Sequence, residues 1–366
     1  MTLRIGIIGC GAIANQKHLP AMSREKDIDF VAFCDIIEER AKKAADKYGT
    51  SDAKVYTDYK ELLKDESIVA VHVLTPNVSH CEITVACLEA GKHVLCEKPM
   101  AATAADAKKM LEARDRTGKL LTIGYQYRHN HENKVAKSVI DAGYLGDIYY
   151  AEASYIRRRG VPTWGVFTDK AQQGGGPLID IGTHALDLTL FLMNNYEVDH
   201  VVGTSFEKLG RLLEPENQGQ LGWRGADQAP WNNKTFEVED FAIGYVKMKN
   251  GAVIHLKASW ALNMVTNPAM VLLCGTKGGL DTADNRVRLN HIVASQPTIS
   301  MIGNKVDPYI PGYSAGEPPP SNEAQIWVKA LRGEGELFVT ADQAYVVTLI
   351  LDGIYESSRT NKAVYF

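Results

Sequence analysis

The stretch from Leu3 to Asp35 constrains the fold more than any other part of the chain. Leu3-Arg4-Ile5-Gly6-Ile7-Ile8-Gly9 is a short apolar run of the kind that forms a parallel strand buried on both faces. It leads directly into Gly9-Cys10-Gly11-Ala12-Ile13-Ala14, a GxGxxA turn that opens a helix. Each small residue has a steric reason. Gly9 permits the tight turn, Gly11 lets a pyrophosphate approach the backbone, and Ala14 allows helix to pack closely on strand. The free N–H groups at the helix start, beside Ala12 and Ile13, then point at the anion. A second apolar run, Phe30 to Cys34, ends in Asp35 roughly twenty positions later, where a carboxylate grips the ribose hydroxyls of an adenosine. Ile36 and Ile37 follow instead of an arginine, and Asp35 would repel a 2′-phosphate, so the pattern favours NAD over NADP. A glycine turn alone would be weak evidence, and a plain strand-end aspartate is the alternative for Asp35.

The alternation continues as a doubly wound parallel sheet. Glu38 to Tyr48 reads as a helix, Lys54 to Tyr56 as an extended piece and Tyr59 to Leu63 as a helical turn. Val69 to Leu74 is a strand that ends in Thr75-Pro76-Asn77, a polar turn at the carboxyl edge where open α/β sheets bind ligands. A helix follows from His80 to Ala90, stopped by Gly91. His93 to Cys96 is a further strand, followed by Glu97-Lys98-Pro99 at the same edge as the glycine turn. Lys98 would then sit over the cofactor, where a nearby cation can lower its pKa and let it share a proton with a substrate hydroxyl. A surface lysine beside a turn proline is the plainer reading. Ala104 to Thr117 is helical, and Leu120 to Gly124 closes a first domain spanning residues 1–124.

Residues 125–366 read as a second domain with longer strands. Ile148 to Ile156 is one, and Val238–Lys249 with Val253–Leu262 forms a hairpin across Asn250-Gly251, a strong turn signal. Met270 to Cys274 pairs later, and Glu323 to Leu331 is a helix after Pro318-Pro319-Pro320-Ser321. The likeliest chemistry lies in Gly174-Gly175-Gly176-Pro177, which opens an apolar helix running to Met193. Asp180, His184, Asp187 and Phe191 recur along it at helical spacing, so they share a face. Burying an aspartate and a histidine there unpaired would cost about 2–7 kcal/mol per group. A satisfied structural pair, a catalytic pair and a metal site all remain open on these residues, although one histidine and two aspartates without HExxH make a poor metal set; no metal is expected.

The GxGxxA turn, Asp35, Thr75-Pro76-Asn77, Glu97-Lys98-Pro99 and the Asp180/His184 helix occur in one order, and together they resemble the Gfo/Idh/MocA oxidoreductases along essentially the whole chain. The resemblance implies an N-terminal Rossmann domain and a C-terminal α+β domain on a large open-faced, mostly antiparallel sheet, a surface used for homo-oligomers. It implies that Lys98, Asp180 and His184 form the catalytic group. Gly9, Gly11, Ala12, Ile13 and Asp35 would hold NAD, together with Thr75, Pro76, Asn77, His80, Glu97 and Lys98 at the next two strand ends. Gly124-Tyr125-Gln126-Tyr127-Arg128 stands where relatives carry a GxNxR-like stretch, with Gln126 in place of the asparagine. That places Tyr127 and Arg128 toward the substrate, with Asp180 and His184.

Two loops complete the expectation. Arg157-Arg158-Arg159 leads through Gly160-Val161-Pro162-Thr163 to Trp164, and Arg158 with the Trp164 plane would suit a hydroxyl-rich ring. An arginine run is also what a solvated face looks like. Gly222-Trp223-Arg224 through Trp231-Asn232-Asn233 reads as a covering loop, with Trp260 and Asn263 as weaker candidates. The expected reaction is NAD-dependent oxidation of a secondary sugar hydroxyl, position 3 of a glucopyranoside foremost. His184 would be the base, Lys98 would assist, and Asp180 would orient the imidazole. Inositol oxidation and a non-catalytic NAD-bound sensor are the alternatives. A net charge of −4 gives no sign of nucleic-acid or membrane partners. Six scattered cysteines without CxxC spacing suit a reducing cytoplasm, and the N-terminus lacks a signal-peptide pattern.

Overall fold

The computed structural model describes residues 2–162, 164–212, 236–264, 268–283, 286–302 and 323–366. The covering loop around Trp223 and Trp231, the proline run at Pro318, and Thr163 lie outside the described residues.

Strands β1 (Leu3–Ile8), β2 (Ile28–Cys34), β3 (Gly49–Tyr56), β4 (Ala70–Val73), β5 (His93–Cys96) and β6 (Leu121–Ile123) form one sheet in the order β3-β2-β1-β4-β5-β6. Every pairing in it is parallel, as expected for strands with near-continuous apolar runs. The order reverses between β1 and β4, so the glycine turn after β1 and the Thr75 turn after β4 flank the switch point. Helices α1 (Leu19–Met22), α2 (Glu38–Tyr48), α3 (Tyr59–Leu63), α4 (His80–Glu89) and α5 (Ala104–Thr117) connect these strands. Local chemistry fixes α5 at both ends. Thr103 accepts the Asp106 N–H and donates its hydroxyl to the Asp106 carboxylate, and Gly118 ends the helix at φ 63°.

Helix α6 (His131–Asp141) leads to β7 (Ile148–Ile156), α7 (Lys170–Gln173) and α8 (Thr183–Met193). Strands β8 (Val198–Phe206), β9 (Phe241–Met248), β10 (Val253–Ser259), β11 (Val271–Gly275), β12 (Gly279–Asp281), β13 (Val287–Val293) and β14 (Gln296–Ile302) follow. Helices α9 (Glu323–Leu331) and α10 (Ala341–Thr360) and strand β15 (Val364–Tyr365) end the chain. The second sheet runs β14-β13-β12-β11-β7-β10-β9-β8-β15. It is antiparallel except where β10 lies parallel to β7. The hairpin across Asn250-Gly251 is present as β9–β10.

The core of the second half lies between this sheet and α8, which is buried from Thr183 to Leu192. The chain does not divide cleanly at residue 124. Ala324, Trp327 and Val328 of α9 pack into the first sheet's core with Ile5, Ile7 and Leu95. Thr122 at the sheet's edge donates to the Val339 carbonyl, 2.8 Å away.

Candidate active site

The nucleotide edge is assembled largely from backbone. Gly9 has φ 92°, and a Cβ there would lie 2.6 Å from the Leu74 carbonyl, so only glycine fits. At Gly11 a Cβ would meet nothing within 4 Å, which leaves open space above the turn where a pyrophosphate would approach. Ala12 is exposed beside it and Ile13 is half-buried. Asp35 tightens this cradle. Its Oδ2 accepts the Cys10 N–H and its Oδ1 accepts the Ile37 N–H, each at 2.8 Å. The glycine turn, the free helix start and the Asp35 carboxylate therefore fit the dinucleotide that the sequence implies.

The next two strand ends are tied to each other. His80 is fully buried, with Nδ1 2.8 Å from the Pro99 carbonyl oxygen and Nε2 2.8 Å from that of Thr75. Both ring nitrogens of His80, expected at the cofactor, face backbone carbonyls, and the residue is a brace between two turns. Ser79 donates to the Thr75 hydroxyl, and buried Asn77 donates its amide to the Gln173 carbonyl at 2.9 Å, joining the Pro76 turn to α7. The Glu97 side chain likewise faces protein. Its Oε1 lies 2.8 Å from both Lys17 Nζ and His18 Nε2, and its Oε2 accepts the Lys98 N–H. Burial opposes the Glu97 charge, but the Lys17 and His18 contacts reverse this and hold its carboxyl well below the usual range.

From this edge Lys98, whose bond to Pro99 is cis, reaches across to the helix of the second half. Its Nζ donates to the Asp180 carbonyl and to Asp180 Oδ1, each at 3.0 Å. Asp180 Oδ2 accepts the indole N–H of buried Trp260 at 3.1 Å. Burial alone would raise the Asp180 carboxyl; the charges of Lys98 and Arg157 outweigh that and hold it below its ordinary value. His184 is 7% exposed, and burial followed by the Lys98 charge pushes its imidazole down to about 3. It is therefore neutral, and its burial and the Lys98 charge both oppose protonation in this state.

One expected contact is absent. The carboxylate of Asp180 goes to Lys98 and Trp260, and buried His184 Nδ1 has no hydrogen-bond partner among the described residues. Residues Leu178–Gly182 form a π-helical turn before α8, and in it both oxygens of the Asp180 carboxylate are turned to Lys98 and Trp260. Instead the His184 ring meets the Tyr127 ring edge-on, centroids 4.9 Å apart, and the Tyr127 hydroxyl lies 3.2 Å from that of Tyr155. The Arg157 guanidinium sits over the Tyr155 ring at 5.5 Å.

Arg128, expected toward the substrate, is held inside the protein. It has no exposed surface, and its guanidinium is spent on Asp187 and on Gln343, with Nε 2.9 Å from Asp187 Oδ2. It braces α8 against the start of α10. Arg158 is exposed at the end of β7, and Trp164 packs edge-on against Phe167, centroids 6.0 Å apart. Phe167 joins a small core containing Ile181 and Trp260. Tyr155 and the bond from Trp260 escaped the sequence reading, because only sheet pairing brings β7 and β10 together beneath the Leu178–Gly182 turn.

Residues 3–125 match the oxidoreductase family model with an NAD-binding Rossmann fold, and residues 133–281 match the Gfo/Idh/MocA C-terminal domain. A D-glucoside 3-dehydrogenase of Escherichia coli (strain K12) is 31% identical across 99% of this chain and 97% of its own length. The chain belongs to the Gfo/Idh/MocA oxidoreductases. An inositol 2-dehydrogenase of Salmonella typhimurium (strain LT2) is 33% identical over 53% of this chain and 55% of its own. The solved structure of a levoglucosan dehydrogenase with NADH and levoglucosan shares the fold at a TM-score of 0.81, with 23% identity, covering 100% of this chain and 99% of that one. The protein is thus an NAD-binding dehydrogenase, built as a Rossmann domain plus a mostly antiparallel second sheet.

Proposed function

We propose that this dehydrogenase oxidises a secondary hydroxyl of a sugar or glycoside, and that the reacting group is the 3-hydroxyl of a glucopyranoside. The observation that carries the reading is the meeting of Lys98 with Asp180 at 3.0 Å beside a neutral His184, at the carboxyl edge of the nucleotide sheet. NAD, when bound, supplies the hydride acceptor. The side chains supply the proton chemistry. Neutral His184 takes the hydroxyl proton. An ammonium has three N–H donors, and two of those on Lys98 are used by Asp180, so the third is left for the substrate oxygen as charge develops on it. Asp180 acts by holding Lys98, in place of the imidazole-orienting role expected for it. Tyr127, Tyr155 and Arg157 add hydroxyl and guanidinium donors suited to a polyhydroxylated ring.

The relative that spans nearly the whole chain is a glucoside 3-dehydrogenase, which supports position 3; the half-length match to an inositol dehydrogenase supports the second reading. A panel of glucose, glucosides, anhydrosugars and inositols, followed by NADH absorbance with product regiochemistry by NMR, separates them. A 3-keto sugar is expected, and turnover of inositol alone would replace the sugar. Lys98→Met and His184→Asn should each lower turnover by about 10²–10⁴-fold with NAD affinity retained in calorimetry. Near-normal turnover in either variant removes that residue from the mechanism. The uncovered face of the second sheet, where Val202 and Ile243 are exposed, is where we place contact between like chains. A monomer in light scattering would remove it.

A further inference from the structure

Asp180 is fixed by groups outside its own helix, and they converge on Glu239-Asp240, the dipeptide just before β9. The buried Glu239 carboxylate accepts the Gly176 N–H at 2.9 Å, the Leu178 N–H at 3.1 Å and the Tyr355 hydroxyl at 2.8 Å. Gly176 and Leu178 open the π-helical turn that carries Asp180, and their N–H groups are among those a helix start leaves without intrahelical partners. The glycine run fits this clamp sterically. A Cβ on Gly175 would lie 2.1 Å from the Tyr355 hydroxyl, and one on Gly176 would lie 2.2 Å from the Glu239 carbonyl oxygen.

The neighbouring residue grips Asp180 from its other end. The Asp240 carbonyl accepts the Trp260 N–H at 3.0 Å and the Ser259 hydroxyl at 3.1 Å, and Trp260 in turn donates its indole N–H to Asp180 Oδ2. Asp240 is itself anchored, its Oδ2 accepting the N–H groups of Lys208, Leu209 and Gly210 at 2.6, 2.6 and 2.9 Å. Two consecutive residues thus hold the start of the turn that carries Asp180 through one carboxylate and the Asp180 side chain through one indole.

We propose that Glu239 is a positioning residue for the Lys98–Asp180 pair, setting the register of the turn so that one lysine nitrogen meets both the carbonyl and the carboxylate of Asp180. That register matters because Lys98 is held by both atoms of one residue, and misplacement by about 1 Å typically costs about 100-fold in rate. The effect on turnover rests on the dehydrogenase reading; the effect on the pair does not. Glu239→Gln and Trp260→Phe are therefore read twice, by steady-state kinetics and by NMR of the enzyme carrying lysines ¹³C-labelled at Cε, the Lys98 signal being assigned with Lys98→Arg.

In both variants the Lys98 resonance is expected to move. In Glu239→Gln, kcat should fall by up to about 100-fold with NAD affinity retained. Because both residues act through Asp180, the losses in kcat should be less than additive in the double variant. If Glu239→Gln does not fold, Tyr355→Phe removes one donor from the same carboxylate and should move the resonance in the same direction by less. A Lys98 resonance that stays at its wild-type position in the folded variants overturns the proposal. A resonance that moves in an enzyme oxidising no sugar overturns the dehydrogenase reading and supports the positioning role.

Discussion

The nucleotide edge and the Lys98–Asp180 cluster lie side by side but are held together in different ways. At the edge the contacts are mostly backbone. Gly9 turns against Leu74, Asp35 closes onto Cys10 and Ile37, and His80 bridges the Thr75 and Pro99 carbonyls. The Lys98–Asp180 cluster is made by side chains far apart in the chain: Lys98 and Asp180 are separated by 82 residues, and Asp180 and Trp260 by 80. Its foundations are also long-range, the Arg128–Asp187 pair beneath α8 being wholly buried. A site of backbone turns survives the loss of one side chain with a local defect. A site of paired side chains depends on every partner, because each one removed leaves a buried polar group unmet.

The sharpest way to break this contrast is Arg128→Met. It leaves the Asp187 carboxylate buried without its partner, and such breaks cost about 3–5 kcal/mol. Urea unfolding should show that loss, while the folded fraction keeps its NAD affinity. A loss below about 1 kcal/mol would mean that the pair is not a foundation of the second half.

Asp35→Ala should give the smaller, local response on the other side of the comparison. Hydrogen bonds to a charged group contribute about 1.5–3 kcal/mol, so NAD should bind roughly 10- to 100-fold more weakly and the bias against NADP should relax. Melting temperature should change little by comparison. An unchanged cofactor preference would take Asp35 out of the ribose site.

The mildest test uses pH. Burial holds His184 down to about 3 and His129 to about 4, against an ordinary 6.5. Between those values and 6.5 the unfolded chain binds more protons than the folded one, so stability rises with pH through that window. The contribution of the neutral rings is full above pH 6.5 and is lost as the pH falls toward 4 and then 3, at up to about 1.4 kcal/mol per unit for each ring. Melting curves from pH 7 to 4 should show this slope, and His184→Asn should flatten it. An equally steep slope in the variant would mean that the ring is not held neutral by burial.

The first half was legible because its signals are local. Helices α2, α3 and α5 begin and end at the residues read from the sequence, since caps and breakers such as Thr103 and Gly118 lie within one turn of the ends they fix. The family, the fold class and the NAD cofactor followed from the same stretch and from the order of motifs, and the comparisons agree with all three. Strands β8 and β12 to β14 and helix α10 went unread; β12 to β14 pair with their chain neighbours, but β14 has no buried residue and β12 is three residues long, so they carry little apolar pattern.

The sequence by itself determined which residue types were available for chemistry and that Lys98, Asp180 and His184 belong to one ordered set of motifs. Only the tertiary structure decided how they meet. It placed Asp180 on Lys98 and Trp260, left His184 Nδ1 without a bond from it, and turned Arg128 and His80 into braces. Helical spacing is read from a regular α-helix, whereas the π-helical turn at Leu178–Gly182 belongs to a segment whose start is clamped by Glu239 from a different strand region. A local pattern names the side chains on a face; the contacts those side chains make are set by the elements packed against that face.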